Sequence, residues 1–156
     1  IARLSDYGAT FATIHGNQAL MEKASENKNN LKILAVTALT SLDRGDLDDL
    51  GFACDVQDLV ISRAKRAFEA GCDGIVSSGL EVPFIRKFVD NKLICVTPGI
   101  RPVANNDDQK RVVDVATAFD SGSDYIVVGR PIKNAKNRYE AASNIQKIIK
   151  RTFESV

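Results

Sequence analysis

The chain has 156 residues, 44% hydrophobic and 26% charged, with a formal net charge of +1, an ordinary balance for one globular domain. Near-neutral charge without a long Lys/Arg run excludes a general nucleic-acid binder. No apolar run reaches the roughly 18 residues of a membrane helix, and no stretch reads as a signal peptide.

Three cysteines (Cys54, Cys72, Cys95) and one histidine, with no CxxC spacing, read as reduced, buried or half-buried thiols of a cytoplasmic protein and argue against a metal site. The opening IARLSDYGA reads as the last turns of a helix entering a strand. Thr10–His15 is the first strand, followed by a helix from Gln18 to about Asn27. LKILAVTAL (Leu31–Leu39) is the second, ending in Thr40 and Ser41. The acidic stretch DRGDLDDLGFACD reads as a loop before a helix over Val56–Ala70, where Leu59, Val60, Ala64, Ala67 and Phe68 recur at helical spacing. Strands over Cys72–Ser77 and Leu93–Thr97 flank a short helix, Glu81–Asp90. A helix over Val112–Asp120, a strand over Asp124–Val128 and a last helix over roughly Asn137–Phe153 complete the series.

Strands that are nearly continuous runs of apolar residues are covered on both faces, so the alternation predicts a parallel sheet in an α/β fold. An internal repeat supports it: GATFATIHG, GCDGIVSSG and GSDYIVVG each place one glycine after a helix and another after the following strand. The first glycine suits a left-handed helix cap, and the second allows close approach of the backbone to a ligand. The whole chain, 1–156, reads as one domain.

The last two strands lead into TPGIRP and VGRPI, both bearing Gly and Arg. Phosphate sites of (β/α)₈ barrels commonly lie in the loops after the last two strands, near a short helix. The five βα units therefore read as part of such a barrel. A complete one needs roughly 200–250 residues, and the expectation is that about three further units would precede Ile1.

In YIVVGRPI, Gly129 frees backbone N–H groups to face an anion, and Arg130 adds a planar cation that can grip phosphate through two hydrogen bonds. The plainer alternative is a surface arginine beside a turn glycine. In VTPGIRP, Pro98-Gly99 turns the chain and Arg101 emerges on the same face. The polar NNDDQKRVV that follows could close over a ligand, with Gln109 offering an amide.

TPGIRP, DDQKRVV and GSDYIVVGRPI in this order resemble the end of bacterial orotidine 5′-monophosphate decarboxylases. LAVTALTS, AGCDGIVSSGLE and GATFATIHG resemble that family's fifth, sixth and fourth strands. The resemblance spans essentially the whole chain. It implies a TIM barrel of the ribulose-phosphate-binding type, with about strands 4–8 present. It implies that Gly129 and Arg130 bind a 5′-phosphate with help from Arg101 and Gln109, and that Thr40 meets the pyrimidine, Ser41 being the neighbouring alternative. It further implies conversion of orotidine 5′-monophosphate to UMP without cofactor or metal, in a homodimer. Two departures stand out: Arg101 and Gln109 are one residue closer than in bacterial relatives, and Asp114 lies where the family often has a nearby Pro.

The family's DxKxxD motif does not occur, so no catalytic residue is assigned in this chain. The Asp/Lys array is expected before Ile1, and 156 residues alone are expected to be inactive. DRGDLDD and NNDDQK read as solvated faces, and His15 as a strand-end histidine. Two rivals stay open: another phosphate-binding barrel, such as a sugar-phosphate decarboxylase, epimerase or synthase, and a non-catalytic phosphate-binding fragment.

Overall fold

The alternation is present in the computed structural model of the protein, which describes residues 1–101 and 111–154. A short helix α1 (Ala2–Asp6) precedes strand β1 (Phe11–His15), helix α2 (Gln18–Glu26) and strand β2 (Lys32–Val36). Helices α3 (Arg44–Asp49) and α4 (Val56–Glu69) lead to β3 (Gly74–Val76), α5 (Val82–Phe88) and β4 (Ile94–Thr97). Helix α6 (Val115–Asp120), β5 (Tyr125–Ile126), α7 (Arg130–Lys133) and α8 (Arg138–Glu154) follow.

The acidic stretch expected to be a loop contains α3. Asp43 accepts from the Asp46 N–H while Asp46 accepts from the Asp43 N–H, a reciprocal cap that starts the helix. The second strand stops at Val36, shorter than its apolar run, because Ala38 to Thr40 turn away into the loop that carries Thr40. The helix expected from Val112 begins at Val115: Val113 is extended and bridges Ile100 in parallel. Asp114 does not weaken that helix. Its carboxylate caps the Thr117 N–H at 2.9 Å and accepts the Thr117 hydroxyl at 2.8 Å.

All strands pair in parallel, in the order β1-β2-β3-β4-β5. The order never reverses, as it would at the switch point of a doubly wound sheet. This is the winding of a barrel. Ile33, Ala35, Ile75 and Cys95 are fully buried under α2, α4 and α5, packed with Met21, Val60, Ala64, Val82 and Ile85. Ile126 and Val128 pack against α6 and α8 in a second cluster with Ile100, Val115 and Ile145.

Side chains alternate along strands, so Phe11, Leu34, Gly74, Val96 and Tyr125 face the concave side. Phe11 and Tyr125, on the two edge strands, meet there edge-on with ring centroids 5.3 Å apart. Along the ladder, Tyr125 is in register with Val96, Val76, Val36 and His15. The ring it meets lies four residues earlier on β1, an offset of one residue per strand step. That is the stagger of an eight-stranded barrel of shear 8. Gly74 lies between them in the same layer, where a Cβ would sit 2.4 Å from Ile94 O and 2.7 Å from Leu34 Cδ2.

At the opposite, N-terminal edge the repeat has a structural task. Asp73 donates its N–H to Ile33 O at 3.0 Å and accepts the Ile33 N–H on Oδ2 at 2.8 Å. Asp124 does the same with Cys95, at 2.9 and 2.7 Å. Each carboxylate also meets a cation, Lys28 at 2.9 Å and Arg86 at 2.7 Å. Gly71 and Gly122, in left-handed conformation with φ of 80° and 97°, reverse the chain just before these aspartates.

Candidate functional site

Parallel strands bring their C-terminal ends to one edge of the sheet, and the residues singled out from the sequence all follow strand ends. Thr40 leaves β2, Arg101 leaves β4, and Gly129 with Arg130 leaves β5. Each exit is held by its neighbour. Thr37 donates its N–H to Val76 O at 3.1 Å and its hydroxyl at 2.9 Å, Ser77 N–H bonds Val96 O at 3.2 Å, and Val127 N–H bonds Thr97 O at 2.8 Å.

Gly129 is exposed and starts the one-turn helix α7, with Arg130, half-buried, as its first residue and Pro131 in the first turn. Proline is tolerated there because its missing N–H would have no helical partner. The second glycines of the repeat differ in use. A Cβ on Gly16 would lie 2.7 Å from Val36 O, and one on Gly79 would lie 2.7 Å from Val113 Cγ2, whereas no described residue lies within 4 Å of a Cβ on Gly129. The first two let the protein pack on itself. Gly129 alone of the three borders open space among the described residues.

Arg101 is buried rather than extended toward solvent. Its N–H bonds Val113 O at 3.0 Å and its Nη1 donates to Ile100 O at 2.9 Å. Thr40 is buried as well, with its carbonyl accepting the Arg111 N–H at 3.3 Å, and Ser41 is half-buried. Gln109 lies outside the described residues. His15 is exposed at the end of β1, beside a shallow hollow of about 390 Å³ lined by Thr13, Ile14, Leu20 and Val36.

Thr40 and Arg101 are joined through a short segment, 111–113, whose first residue carries no role in the sequence pattern. Arg111 is buried and donates from Nη1 to Glu81 Oε1 at 2.6 Å and from Nη2 to Leu39 O at 2.8 Å. Its carbonyl accepts the Ser78 hydroxyl at 3.5 Å. Two positions on, Val113 receives the Arg101 N–H. The residues 111–113 thereby tie together the exits of β2, β3 and β4. Glu81 and Arg111 both sit in quoted motifs, SSGLE and DDQKRVV, yet nothing local signals that they pair across 30 positions.

Just past this tie, the Thr117 N–H and hydroxyl hold the Asp114 carboxyl below the usual carboxylate range. Among the described residues no group of three or more His, Cys, Asp or Glu could hold a metal ion. No helix among the described residues is long and apolar enough to cross a membrane.

Known proteins share this sequence pattern and fold. The chain is 61% identical over 155 residues to the orotidine 5′-phosphate decarboxylase of Methylococcus capsulatus (strain ATCC 33009 / NCIMB 11132 / Bath), covering 98% of this chain and 64% of that protein. It thus spans about two-thirds of the length of this curated relative. The crystal structure of orotidine 5′-phosphate decarboxylase from Lactobacillus acidophilus matches with a TM-score of 0.77 and 31% identity, over 94% of this chain and 66% of that one. The enzyme of that name from Pyrococcus horikoshii OT3 shares the fold, with a TM-score of 0.67 at 24% identity over 96% of this chain and 65% of that one. A family profile matches residues 1–145, so β1 to β5 and the strand exits joined by Arg111 all fall within it. The chain belongs to the orotidine 5′-phosphate decarboxylase / HUMPS family.

Proposed function

We propose that this chain supplies the phosphate- and pyrimidine-binding part of an enzyme that converts orotidine 5′-monophosphate to UMP and CO₂ in pyrimidine biosynthesis. The observation that carries the reading is the gathering of Thr40, Arg101 and Gly129-Arg130 at the C-terminal ends of parallel strands, the end where barrel enzymes place their sites. Relatives named orotidine 5′-phosphate decarboxylase at 61% and 45% identity favour the first half of the family's double name over a sugar-phosphate enzyme.

In this reading Gly129 and Arg130 hold the 5′-phosphate. The open space at Gly129 admits an anion beside the backbone, and Arg130 offers a charged, planar donor. Arg101 and Gln109 act from the preceding loop, and Thr40 meets the pyrimidine. Loss of CO₂ leaves carbanion character at C6, whose remedy is a preorganised cation. The residues proposed here work at a distance from that carbon. Their phosphate-binding energy offsets desolvation at the reacting centre. The protein acts as a cytoplasmic homodimer that needs no cofactor, with residues 1–156 folding as one domain.

Calorimetry with UMP and with ribulose 5-phosphate tests the reading. UMP binds more tightly, and Arg130→Ala weakens UMP by about 2–3 kcal/mol, the worth of a charge-assisted phosphate contact. Unchanged UMP affinity in that variant overturns the phosphate assignment. Preference for ribulose 5-phosphate overturns the pyrimidine assignment.

A further inference from the structure

We infer that Arg111 and Glu81 form a positioning clamp that sets the base-facing loop of the site, acting through Thr40 without touching substrate. The inference rests on the pyrimidine-nucleotide reading above and deepens it.

Arg111 reaches two separate strand exits from one position. Its guanidinium spans Glu81 Oε1 on the β3 exit and Leu39 O on the β2 exit, while its N–H bonds Thr40 O. Glu81 in turn stands at the start of α5, with its N–H bonded to Ser78 O at 3.2 Å. Gly79 has no room for a Cβ against Val113, so the β3 exit lies flush on the same segment. Two consecutive carbonyls, those of Leu39 and of the predicted base contact Thr40, are therefore fixed by a single residue.

Stability alone is a poor reason for this pair. Burying two charges costs solvation that an apolar pair would not lose. Here Glu81 Oε2 and Arg111 Nε, both buried, have no hydrogen-bond partner among the described residues. What the pair provides is direction. A planar fork can hold a carboxylate and a carbonyl at a fixed angle, which a lysine ammonium cannot reproduce. Any shift of the fork moves Leu39 and Thr40 together, because both of their carbonyls bond Arg111. Side chains that lock a binding residue in this way tune the site although they make no contact with ligand.

The test measures UMP and ribose 5-phosphate affinity by calorimetry in the wild type, Arg111→Lys, Glu81→Gln and the double variant, with folding checked by circular dichroism. UMP affinity falls about tenfold in each single variant, the size of one lost charge-assisted bond. Ribose 5-phosphate affinity stays within about twofold, and the double variant loses little more than either single one, as for residues acting as a unit. Equal loss for both ligands, or no loss for UMP, overturns the clamp. If the wild type binds UMP no better than ribose 5-phosphate, the proposed function fails, and hydrogen exchange then decides the clamp on its own. Arg111→Lys must raise exchange at both Thr40–Leu42 and Leu80–Val82 while leaving α4 unchanged. Unaltered exchange at those two segments overturns it whatever the ligand.

Discussion

Replacing Asp124 with alanine removes one atom from two partners at once. Its Oδ2 accepts the Cys95 N–H at 2.7 Å and the Arg86 guanidinium at 2.7 Å. Cys95 is fully buried, so its N–H loses a partner where water cannot replace it, at a cost of about 1–3 kcal/mol. The ion pair adds at most about 1 kcal/mol, because the Asp124 side chain is 45% exposed and Arg86 keeps its bonds to the carbonyls of Gly122, Asn91 and Leu93. The sum is about 1–4 kcal/mol. With a urea slope of roughly 2 kcal/mol per molar, the midpoint should fall by about 0.5–2 M. Asp124→Asn retains an acceptor and should lose about 1 kcal/mol, the difference between a charged and a neutral bond. Urea unfolding followed by circular dichroism gives the midpoints, and amide exchange at Cys95 reports the orphaned N–H directly. An Asp124→Ala midpoint within about 0.3 M of wild type, or unaltered exchange at Cys95, refutes the claim that the carboxylate completes the sheet edge. Asp73→Ala, which strips the same contacts from Ile33, should behave alike.

Gly74→Ala forces a methyl against Ile94 O and Leu34 Cδ2, and since the first is backbone, a loss of about 1–3 kcal/mol is expected in the same unfolding assay. Asp114 has a folded pKa below its ordinary 3.8, so its cap stabilises α6 above that pH and is lost as the pH falls through the folded value. The contribution is at most about 1 kcal/mol for so exposed a group. Asp114→Asn should keep a cap yet reduce the difference in urea midpoint between pH 6 and pH 3. Burial pushes the Cys95 thiol up to about 11 and raises that of Cys72. Iodoacetamide at pH 8 should therefore label Cys54 alone in the native protein and all three cysteines in urea, as counted by intact mass. An adduct on native Cys95 contradicts its place in the core.

Every element read from the sequence is present in type and order, because the signals are local. Leu59, Val60, Ala64 and Ala67 mark one face of α4 by their spacing, and Gly71 and Gly122 mark helix ends by a backbone conformation that other residues avoid. The positions of Thr40, Arg101 and Gly129 at strand ends follow from the same pattern, since parallel strands must all end on one side. The structure departs from the local pattern where charged residues cap a helix or long-range pairing takes precedence. Helix α3 forms in a stretch whose acidity suggests a solvated loop, because Asp43 and Asp46 cap it reciprocally. Val113 fits a helical pattern yet is extended, because it bridges Ile100, 13 positions away.

Local pattern therefore sets the order of the strands and of the helices other than α3 and α7, and which side chains stand at the strand exits. The meeting of Phe11 and Tyr125 across the concave face belongs to the folded chain, since it depends on a stagger accumulated over the whole ladder. Only the tertiary structure decides that Arg111 joins Leu39, Thr40 and Glu81. Charges in an unfolded chain are solvated separately, and a guanidinium selects one carboxylate and one carbonyl only when folding has removed the water around both of them.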